Sequence, residues 1–170
     1  MNILVFSDSH GRASNMIKSL QRQIKKPDAV VFLGDGIRDI SYCDLDGATL
    51  FAVEGNCDIY STYGNVSAEE EIIVTLGGKR IMMTHGHTYG VKSGLARIVM
   101  AAARKEADIV LFGHTHKALE IYIPAGETEY GVEIEKPMWL FNPGAAEESR
   151  WGCVEIDKKG NVLLSHGSLY

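Results

Sequence analysis

Five short loops in this sequence carry the kinds of side chain that bind metal ions in proteins. Carboxylate, imidazole and asparagine carbonyl donors without thiolate suit Mn²⁺, Fe²⁺, Zn²⁺, Ni²⁺ or Mg²⁺ rather than an iron–sulfur or other soft-metal site. One such residue alone is usually solvated, but five glycine-containing loops, each after an apolar run, indicate a common metal centre. Five of the six histidines lie in these loops, and only His166 does not. The loops are Asp8-Ser9-His10-Gly11, Gly34-Asp35-Gly36, Gly55-Asn56-Cys57-Asp58, His85-Gly86-His87 and Gly113-His114-Thr115-His116.

The spacing within the loops indicates how the donors are presented. One residue separates Asp8 from His10, and the pair at positions 114 and 116 has the same spacing, so extended backbone would turn both members of each pair to one side. Two ions about 3.5–4 Å apart need a shared ligand, and Asp35 in its Gly-Asp-Gly turn is the natural bridging carboxylate. His87 and Asp39 are interpreted either as solvated groups or as groups that orient ligands.

The predicted secondary structure places a strand directly before each of the five loops. Apolar runs at 3–6, 29–33, 48–53, 79–84 and 109–112 predict a strand before each loop, and ligands collect at the carboxyl ends of such strands. Helices are predicted from about Ser14, a plausible N-cap, to Lys26 before Pro27, and from Val91 to Glu106. Further strands are predicted at 71–76 before a Gly77-Gly78 hairpin turn, and at 119–123, 131–134, 138–141, 152–156 and 162–165. This pattern predicts one α/β domain over 1–170, with two packed sheets and helices outside.

Composition and charge narrow the function classes. The formal net charge is −5, and no basic run exceeds Lys25-Lys26 or Lys158-Lys159, which disfavours a dedicated nucleic-acid surface. A phosphate substrate stays compatible because two divalent ions add positive charge locally. No apolar run approaches the ~20 residues of a membrane span, and the N-terminus lacks the features of a signal peptide. Three cysteines without paired spacing fit a reducing cytoplasm, which is the expected location.

The order of the motifs resembles the calcineurin-like metallophosphoesterase superfamily. That pattern runs Asp-x-His, Gly-Asp, Gly-Asn-[His/Cys], a lone His and Gly-His-x-His, and it covers the chain from Met1 to about Asp157. The small size, the Gly-Asn-Cys-Asp loop and Asn142-Pro143-Gly144 resemble the YfcE-like small phosphodiesterase branch. The resemblance implies a four-layer α/β/β/α sandwich, with two mixed sheets packed face to face.

The resemblance also implies a dinuclear metal centre that activates a hydroxide for in-line attack on phosphorus. Manganese is the commonest ion in such enzymes, and nickel is effective in close relatives. The implied ligands are Asp8, His10, Asp35 and His116 for one ion, and Asp35, Asn56, His85 and His114 for the other, with Asp35 bridging.

One position departs from the common pattern. Cys57 stands where many relatives carry a histidine that is thought to protonate the leaving group or hold the phosphate. A thiol is a poor general acid for an alkoxide, so we expect better turnover of diesters with good leaving groups such as nitrophenols. The alternative is that Cys57 is a small buried filler. Asp58, Arg12 and Arg38 are further candidates for substrate contact, although solvated surface roles are the default.

The leading hypothesis is a metal-dependent phosphodiesterase acting on a small phosphate ester. The first alternative is a phosphomonoesterase or nuclease using the same ions. The second is a non-catalytic scaffold, as in the retromer subunit that resembles this branch. Such a scaffold need not keep a complete ligand set, whereas all seven ligand positions are filled here. The physiological substrate, the diester or monoester preference and the native metal stay open.

An acidic segment between the back-half strands, at 124–137, predicts an exposed hairpin. Its four glutamates are Glu127, Glu129, Glu133 and Glu135. A homo-oligomer contact is a further hypothesis, since Tyr122, Tyr130 and Trp139 would supply apolar area for it.

Overall fold

The computed structural model describes all residues, Met1–Tyr170, and places ten strands in two five-stranded sheets. The first half of the chain forms β1 (Asn2–Phe6), α1 (Ala13–Gln21), β2 (Ala29–Phe32), α2 (Ile37–Ile40), β3 (Thr49–Ala52), β4 (Thr62–Tyr63), β5 (Val66–Ser67), β6 (Glu71–Leu76) and β7 (Lys79–Thr84). The second half forms α3 (Ala96–Arg104), β8 (Ile109–Phe112), β9 (Leu119–Ile123), β10 (Gly126–Glu127), β11 (Glu133–Ile134), β12 (Met138–Asn142), a 3₁₀ turn (Ala146–Glu148), β13 (Arg150–Ile156) and β14 (Val162–Ser168).

Both sheets are mixed. The first has the order β14-β13-β1-β2-β3, in which β1, β2 and β3 are parallel and β13 runs antiparallel to β1. The second has the order β6-β7-β8-β12-β9, in which β7, β8 and β12 are parallel and the edge strands β6 and β9 are antiparallel. Each parallel set therefore brings its carboxyl ends to one edge of its sheet, where the five donor loops begin.

Alternation along the strands decides which layers touch. In β1, Ile3 and Val5 join a cluster of 14 buried residues that includes Ile109 and Leu111 of the second sheet. The intervening side chains of β1 pack instead with Met16 of α1. A third cluster joins the opposite face of the second sheet to α3. The period-two pattern thus separates the space between the sheets from the two helix layers, and the predicted four-layer α/β/β/α sandwich is confirmed.

Both long helices are shorter than predicted. Helix α1 starts after Arg12, not at Ser14, and ends at Gln21, so Ile24 is fully exposed instead of continuing the apolar stripe. Pro27 disfavours helical backbone in the residue before it, which leaves the segment after α1 irregular. Helix α3 begins at Ala96 and not Val91, because Gly94 adopts a φ of 146° that ends helical continuity from that side.

The acidic segment forms the predicted hairpin, with Glu127 of β10 opposite Glu133 of β11. The predicted strand at 131–134 is reduced to its last two residues. Tyr122 is half exposed and packs against Trp139 with ring centroids 4.8 Å apart. Tyr130 packs against the buried cluster that joins the second sheet to α3. Oligomer formation through these side chains stays a prediction. Helices α1, α2 and α3 are all too short to cross a membrane.

Candidate metal centre

The five donor loops follow β1, β2, β3, β7 and β8 and meet where the two sheets face each other. Three groups of donor atoms form there, and the atoms of each group lie within 4.8 Å of one another. We call two of them the first cluster, which consists of Asp8, His10 and His116, and the second cluster, which consists of Asp35, His85 and His114. The third group, His10, Asp35 and Cys57, lies between them and shares a residue with each. Residues separated by more than 100 positions in sequence thus share one site.

Left-handed backbone presents most of these donors. Eight residues other than glycine have positive φ, and five of them are donors at the site: Asp8, His10, Asp35, His114 and His116. The expectation that extended backbone turns the paired donors to one side is therefore wrong, because tight left-handed turns do so. Such a conformation costs an L-residue roughly 1–2 kcal/mol. Strain of this kind collects at functional sites, where the surrounding structure holds it in place.

In the first cluster, one carboxylate oxygen and two imidazole nitrogens lie close to one another. His116 Nε2 lies 3.2 Å from Asp8 Oδ1 and 3.3 Å from His10 Nε2. Asp8 Oδ1 is buried and has no hydrogen-bond partner, whereas its Oδ2 accepts bonds from the Ser7 hydroxyl and the His114 N–H. A buried carboxylate oxygen without a donor is costly, and a cation between these atoms would satisfy it.

The second cluster is arranged in the same way. His85 Nε2 lies 3.4 Å from Asp35 Oδ2 and 3.2 Å from His114 Nδ1. Asp35 Oδ2 also lies 3.7 Å from His10 Nε2 of the first cluster, while its Oδ1 accepts the Cys57 N–H at 2.8 Å. One carboxylate oxygen of Asp35 thus faces both clusters, as a bridging ligand must.

Hydrogen bonds on the far side of two rings set their tautomers. His85 Nδ1 lies 2.6 Å from the Leu33 carbonyl oxygen, which can only accept, so Nδ1 carries the proton. His116 Nδ1 lies 3.1 Å from Glu147 Oε1, which has the same effect. With Nδ1 engaged in this way, each ring turns its Nε2 toward the carboxylates. This is the arrangement by which proteins orient histidine ligands for a metal ion.

The electrostatics of the second cluster stabilise positive charge at its centre. Burial acts to raise the pKa of Asp35, but hydrogen bonding to His85 and to the Cys57 N–H outweighs it and lowers that pKa. Burial acts in the opposite direction on His85, whose pKa is nevertheless raised by Asp35 and Asp8. Burial and the neighbouring His85 lower the pKa of His114 to about 4, so its ring is neutral at neutral pH. The carboxylate and imidazole donors of the second cluster therefore fit a divalent cation.

Two further aspartates fix the loops. The buried carboxylate of Asp39 accepts bonds from the Ser9 hydroxyl at 2.6 Å and the Gly11 N–H at 2.7 Å. The carboxylate of Asp58 accepts four backbone N–H groups at 2.8–3.0 Å, from Gly55, Asp35, Gly36 and Ile37. Both oxygens of Asp58 are engaged in joining the loops after β2 and β3, so the structure does not offer them to a substrate.

Glycine is needed where these two loops touch. A Cβ at Gly34 would lie 2.6 Å from the backbone nitrogen of Gly55, and a Cβ at Gly55 would overlap the Asp35 carboxylate. Gly34 also has a φ of 94°. The glycines of the Gly34-Asp35 and Gly55-Asn56 pairs are thus required because the two loops touch through their backbones next to Asp35.

The remaining candidates occupy different surroundings. Cys57 is exposed, so the buried-filler alternative is wrong. Partial desolvation of its thiol, together with hydrogen bonding to Asp35, raises the pKa of that thiol. Asn56 is exposed, and its amide donates to the Cys57 sulfur. His87 lies beside the second cluster, with its ring 5.4 Å from that of His85 and with Nδ1 buried and unpartnered. Arg12 is exposed at the start of α1.

Sequence reasoning missed Glu147, which contacts His116. The 3₁₀ turn that carries it is bound to the first loop by bonds from the Ala146 and Glu147 N–H groups to the carbonyls of Ser7 and Asp8. Asn142, at the end of β12, supports the loop of the second histidine pair by donating to the Gly113 carbonyl at 2.8 Å. The position of Asn142 could have indicated its role, since β12 is a further strand parallel to β8 that ends at the same edge. The histidine outside the loops, His166, lies on β14 and stacks on Phe141.

The family description "Calcineurin-like phosphoesterase superfamily domain" matches residues 1–158. The chain belongs to this superfamily. The superfamily and its YfcE-like branch are thus confirmed, and membership indicates a phosphoric ester hydrolase that binds divalent metal ions. A relative, the probable metallophosphoesterase YsnB of Bacillus subtilis, is 29% identical over 145 residues, which cover 85% of this chain and 75% of YsnB.

Solved structures of this superfamily fold align over almost the whole chain. A conserved protein of Streptococcus pneumoniae, described as a predicted phosphoesterase, is 26% identical with a TM-score of 0.68, covering 98% of this chain and 97% of that one. Vacuolar Protein Sorting 29 of Cryptosporidium parvum covers the same shares with 18% identity and a TM-score of 0.68. The second likeness shows the fold alone, so the choice between catalysis and another role must come from the site.

Proposed function

We propose that this chain is a metal-dependent phosphodiesterase with two divalent ions, Mn²⁺ being the first choice. The observation that carries the proposal is the pair of donor clusters with Asp35 between them, in which imidazole nitrogens and carboxylate oxygens converge to within 3.3–3.7 Å. Such convergence is unfavourable unless cations lie between the donors. A scaffold for protein contact has no need of such converging donors.

The first ion would be held by Asp8, His10, Asp35 and His116, and the second by Asp35, His85, His114 and Asn56. The distances support all of these assignments except that of Asn56, which rests on its place in the Gly-Asn motif. Oxygen and imidazole donors in this mixture suit Mn²⁺ and also Ni²⁺, Zn²⁺, Fe²⁺ or Mg²⁺. When bound, two such ions lower the pKa of a water molecule, polarise the phosphate and neutralise charge on the attacking and leaving oxygens.

The chain's own residues then define what the site offers a substrate. Left-handed turns hold the donors rigid, and Glu147 and the Leu33 carbonyl fix the imidazole orientations. Such pre-organisation positions the phosphate and the attacking water without reorganisation during the reaction. Cys57, with its raised pKa, is protonated but is a weak hydrogen-bond donor. A leaving group that departs without a strong acid is therefore favoured.

A diester is favoured over a monoester by the shape and charge of the surroundings. A groove of about 370 Å³ continues from Asp35 and Cys57 past Ile59, Tyr60 and Tyr63, which provides room for a second ester arm. A diester also carries less negative charge than a monoester, which suits a chain with a net charge of −5.

The test compares Mn²⁺-dependent hydrolysis of bis(p-nitrophenyl) phosphate and p-nitrophenyl phosphate. We expect the diester to be the better substrate, and we expect Asp8→Asn and His85→Ala to abolish hydrolysis of both. Asp46→Asn is the matched control, because Asp46 has a φ of 51° close to the 54° of Asp8 but is exposed and pairs with Lys26 instead of with a residue of the clusters. Wild-type protein that bound no Mn²⁺ and cleaved neither ester would favour a scaffold role, and preference for the monoester would replace the diesterase with a monoesterase.

A further inference from the structure

A groove beside the first cluster is lined by metal-site residues at one end and by apolar side chains at the other. His10, Asp35 and Cys57 form the first end, and Ile59, Tyr60 and Tyr63 form the second. A phosphate held at the clusters would therefore extend one ester arm along the groove. The nature of the far end decides which arm fits.

The far end is unusually rich in exposed aromatic surface. Tyr60 is 71% exposed and Tyr63 37%, Ile59 is 87% exposed, and Tyr42 packs edge-on against Tyr63 with ring centroids 6.4 Å apart. Single exposed apolar side chains are ordinary on protein surfaces. Here three of the ten large apolar side chains that the chain exposes line one groove, and a fourth, Tyr42, packs against one of them. Contiguous patches of this kind mark binding surfaces.

The backbone that carries these side chains is anchored at both ends. Before them, the carboxylate of Asp58 accepts its four backbone N–H bonds. After them, Val66 and Ala68 are buried in the cluster that joins the first sheet to α1. The Ala68 N–H also donates to the Ser61 carbonyl at 2.7 Å. The tyrosines thus stand on a fixed platform, and a ligand would lose little affinity to ordering it.

Arg38 completes this surface. Its guanidinium carbon lies 5.6 Å from the centroid of the Tyr63 ring, and its Nε donates to the Tyr42 hydroxyl at 3.1 Å. A guanidinium within about 6 Å of an aromatic centroid is in cation–π range, and its planar group can itself stack on a ligand ring.

We infer that the groove binds an aromatic ring carried by one ester arm of the substrate, stacked on Tyr60 and Tyr63. The substrate class is thus a phosphate ester with an aromatic group, such as an aryl or nucleoside ester, rather than an alkyl or sugar ester. This inference rests on the proposed function, because the clusters must hold the phosphate. Aromatic rings with flat faces stack on tyrosine, whereas a saturated ring of similar size gains only apolar contact.

The experiment measures the binding of phosphonates, whose carbon–phosphorus bond the reaction does not cleave. Dissociation constants of phenylphosphonate, cyclohexylphosphonate and methylphosphonate are determined by calorimetry on the Mn²⁺-loaded full chain. We expect phenylphosphonate to bind about tenfold more tightly than methylphosphonate, with cyclohexylphosphonate in between. The double substitution Tyr60→Ala with Tyr63→Ala should remove this preference and leave methylphosphonate affinity unchanged, while Tyr170→Ala, at an exposed tyrosine remote from the groove in sequence, should keep it.

Equal binding of phenyl- and methylphosphonate, equal binding of phenyl- and cyclohexylphosphonate, or an unchanged preference in the double variant would each overturn the inference alone. Failure of all three phosphonates to bind would overturn the proposed function and this inference with it. Thermal unfolding of the double variant checks that the exposed substitutions leave the fold intact.

Discussion

Replacing Glu147 by glutamine should weaken metal binding at the first cluster while the chain stays folded. The substitution keeps an oxygen that can accept the His116 Nδ1–H but removes the negative charge 3.1 Å from that nitrogen. A hydrogen bond to a charged group contributes roughly 1.5–3 kcal/mol when shielded. His116 and Glu147 are 31% and 28% exposed, so solvent screening reduces this to about 1–1.5 kcal/mol. Affinity for the ion at the first cluster should fall about tenfold.

Glu148→Gln is the matched control for this substitution. Glu148 is the next residue on the same 3₁₀ turn, but it is about half exposed and pairs only with Arg150, at 3.6 Å. Calorimetric titration with Mn²⁺ should show one weakened and one unchanged binding event for Glu147→Gln, and wild-type behaviour for Glu148→Gln. Wild-type affinity in Glu147→Gln, or an equal loss in both variants, would refute the argument that Glu147 orients His116.

Three further predictions concern the loops and the ions. Asp58→Asn leaves backbone N–H groups without acceptors, so we expect the free energy of unfolding to fall by about 2–3 kcal/mol in urea titrations; an unchanged midpoint would contradict the anchoring role. Cys57→His should raise turnover of a phenyl diester at least tenfold while leaving a nitrophenyl diester almost unchanged, because general acid catalysis matters most for poor leaving groups; an equal change in both would argue against Cys57 facing the leaving group. Saturating Mn²⁺ at about 100 times its dissociation constant should stabilise the fold by about 2.7 kcal/mol per site and raise Tm by several degrees. Chelation should reverse the rise in Tm. A chelator-insensitive Tm would count against the donor clusters as cation sites.

Much of the framework could be predicted from the sequence because its signals are local. Continuous apolar runs such as that at 29–33 indicate strands covered on both faces, and Gly77-Gly78 marks a tight hairpin turn. The five donor loops each follow such a run, so strand direction predicts that the loops of each parallel set share an edge of their sheet. The meeting of the two edges also requires the face-to-face packing of the sheets. The joint pattern was specific even though each piece was weak.

What could not be predicted depends on contacts between distant parts of the chain. The left-handed backbone of Asp8 and His10 is held by hydrogen bonds from their N–H groups to the carbonyls of Gly34 and Asp35, which no local propensity indicates. Glu147 lies on a turn whose position depends on bonds to Ser7 and Asp8, more than 130 residues earlier. The anchoring role of Asp58 likewise required the loop after β2 to lie against the loop after β3.

The predicted helix boundaries were wrong for a related reason. The apolar stripe through Ile24 suggested a longer α1, but no neighbouring layer covers that side chain, and it stays fully exposed. The start of α3 depends on Gly94 and on the turns before it rather than on the periodicity that follows. Tertiary packing and single glycine conformations thus outweighed helix propensity.

If Asp35 joins two metal ions into one centre, the number of Mn²⁺ ions bound per chain and their magnetic coupling must both depend on its carboxylate. Metal analysis together with electron paramagnetic resonance should find two spin-coupled Mn²⁺ ions in the wild type. Asp35→Asn should hold at most one ion, lose the coupling and lose diester hydrolysis, whereas Asp46→Asn should retain all three properties. Two coupled ions in Asp35→Asn, or a single ion in fully active wild-type protein, would contradict the bridged centre.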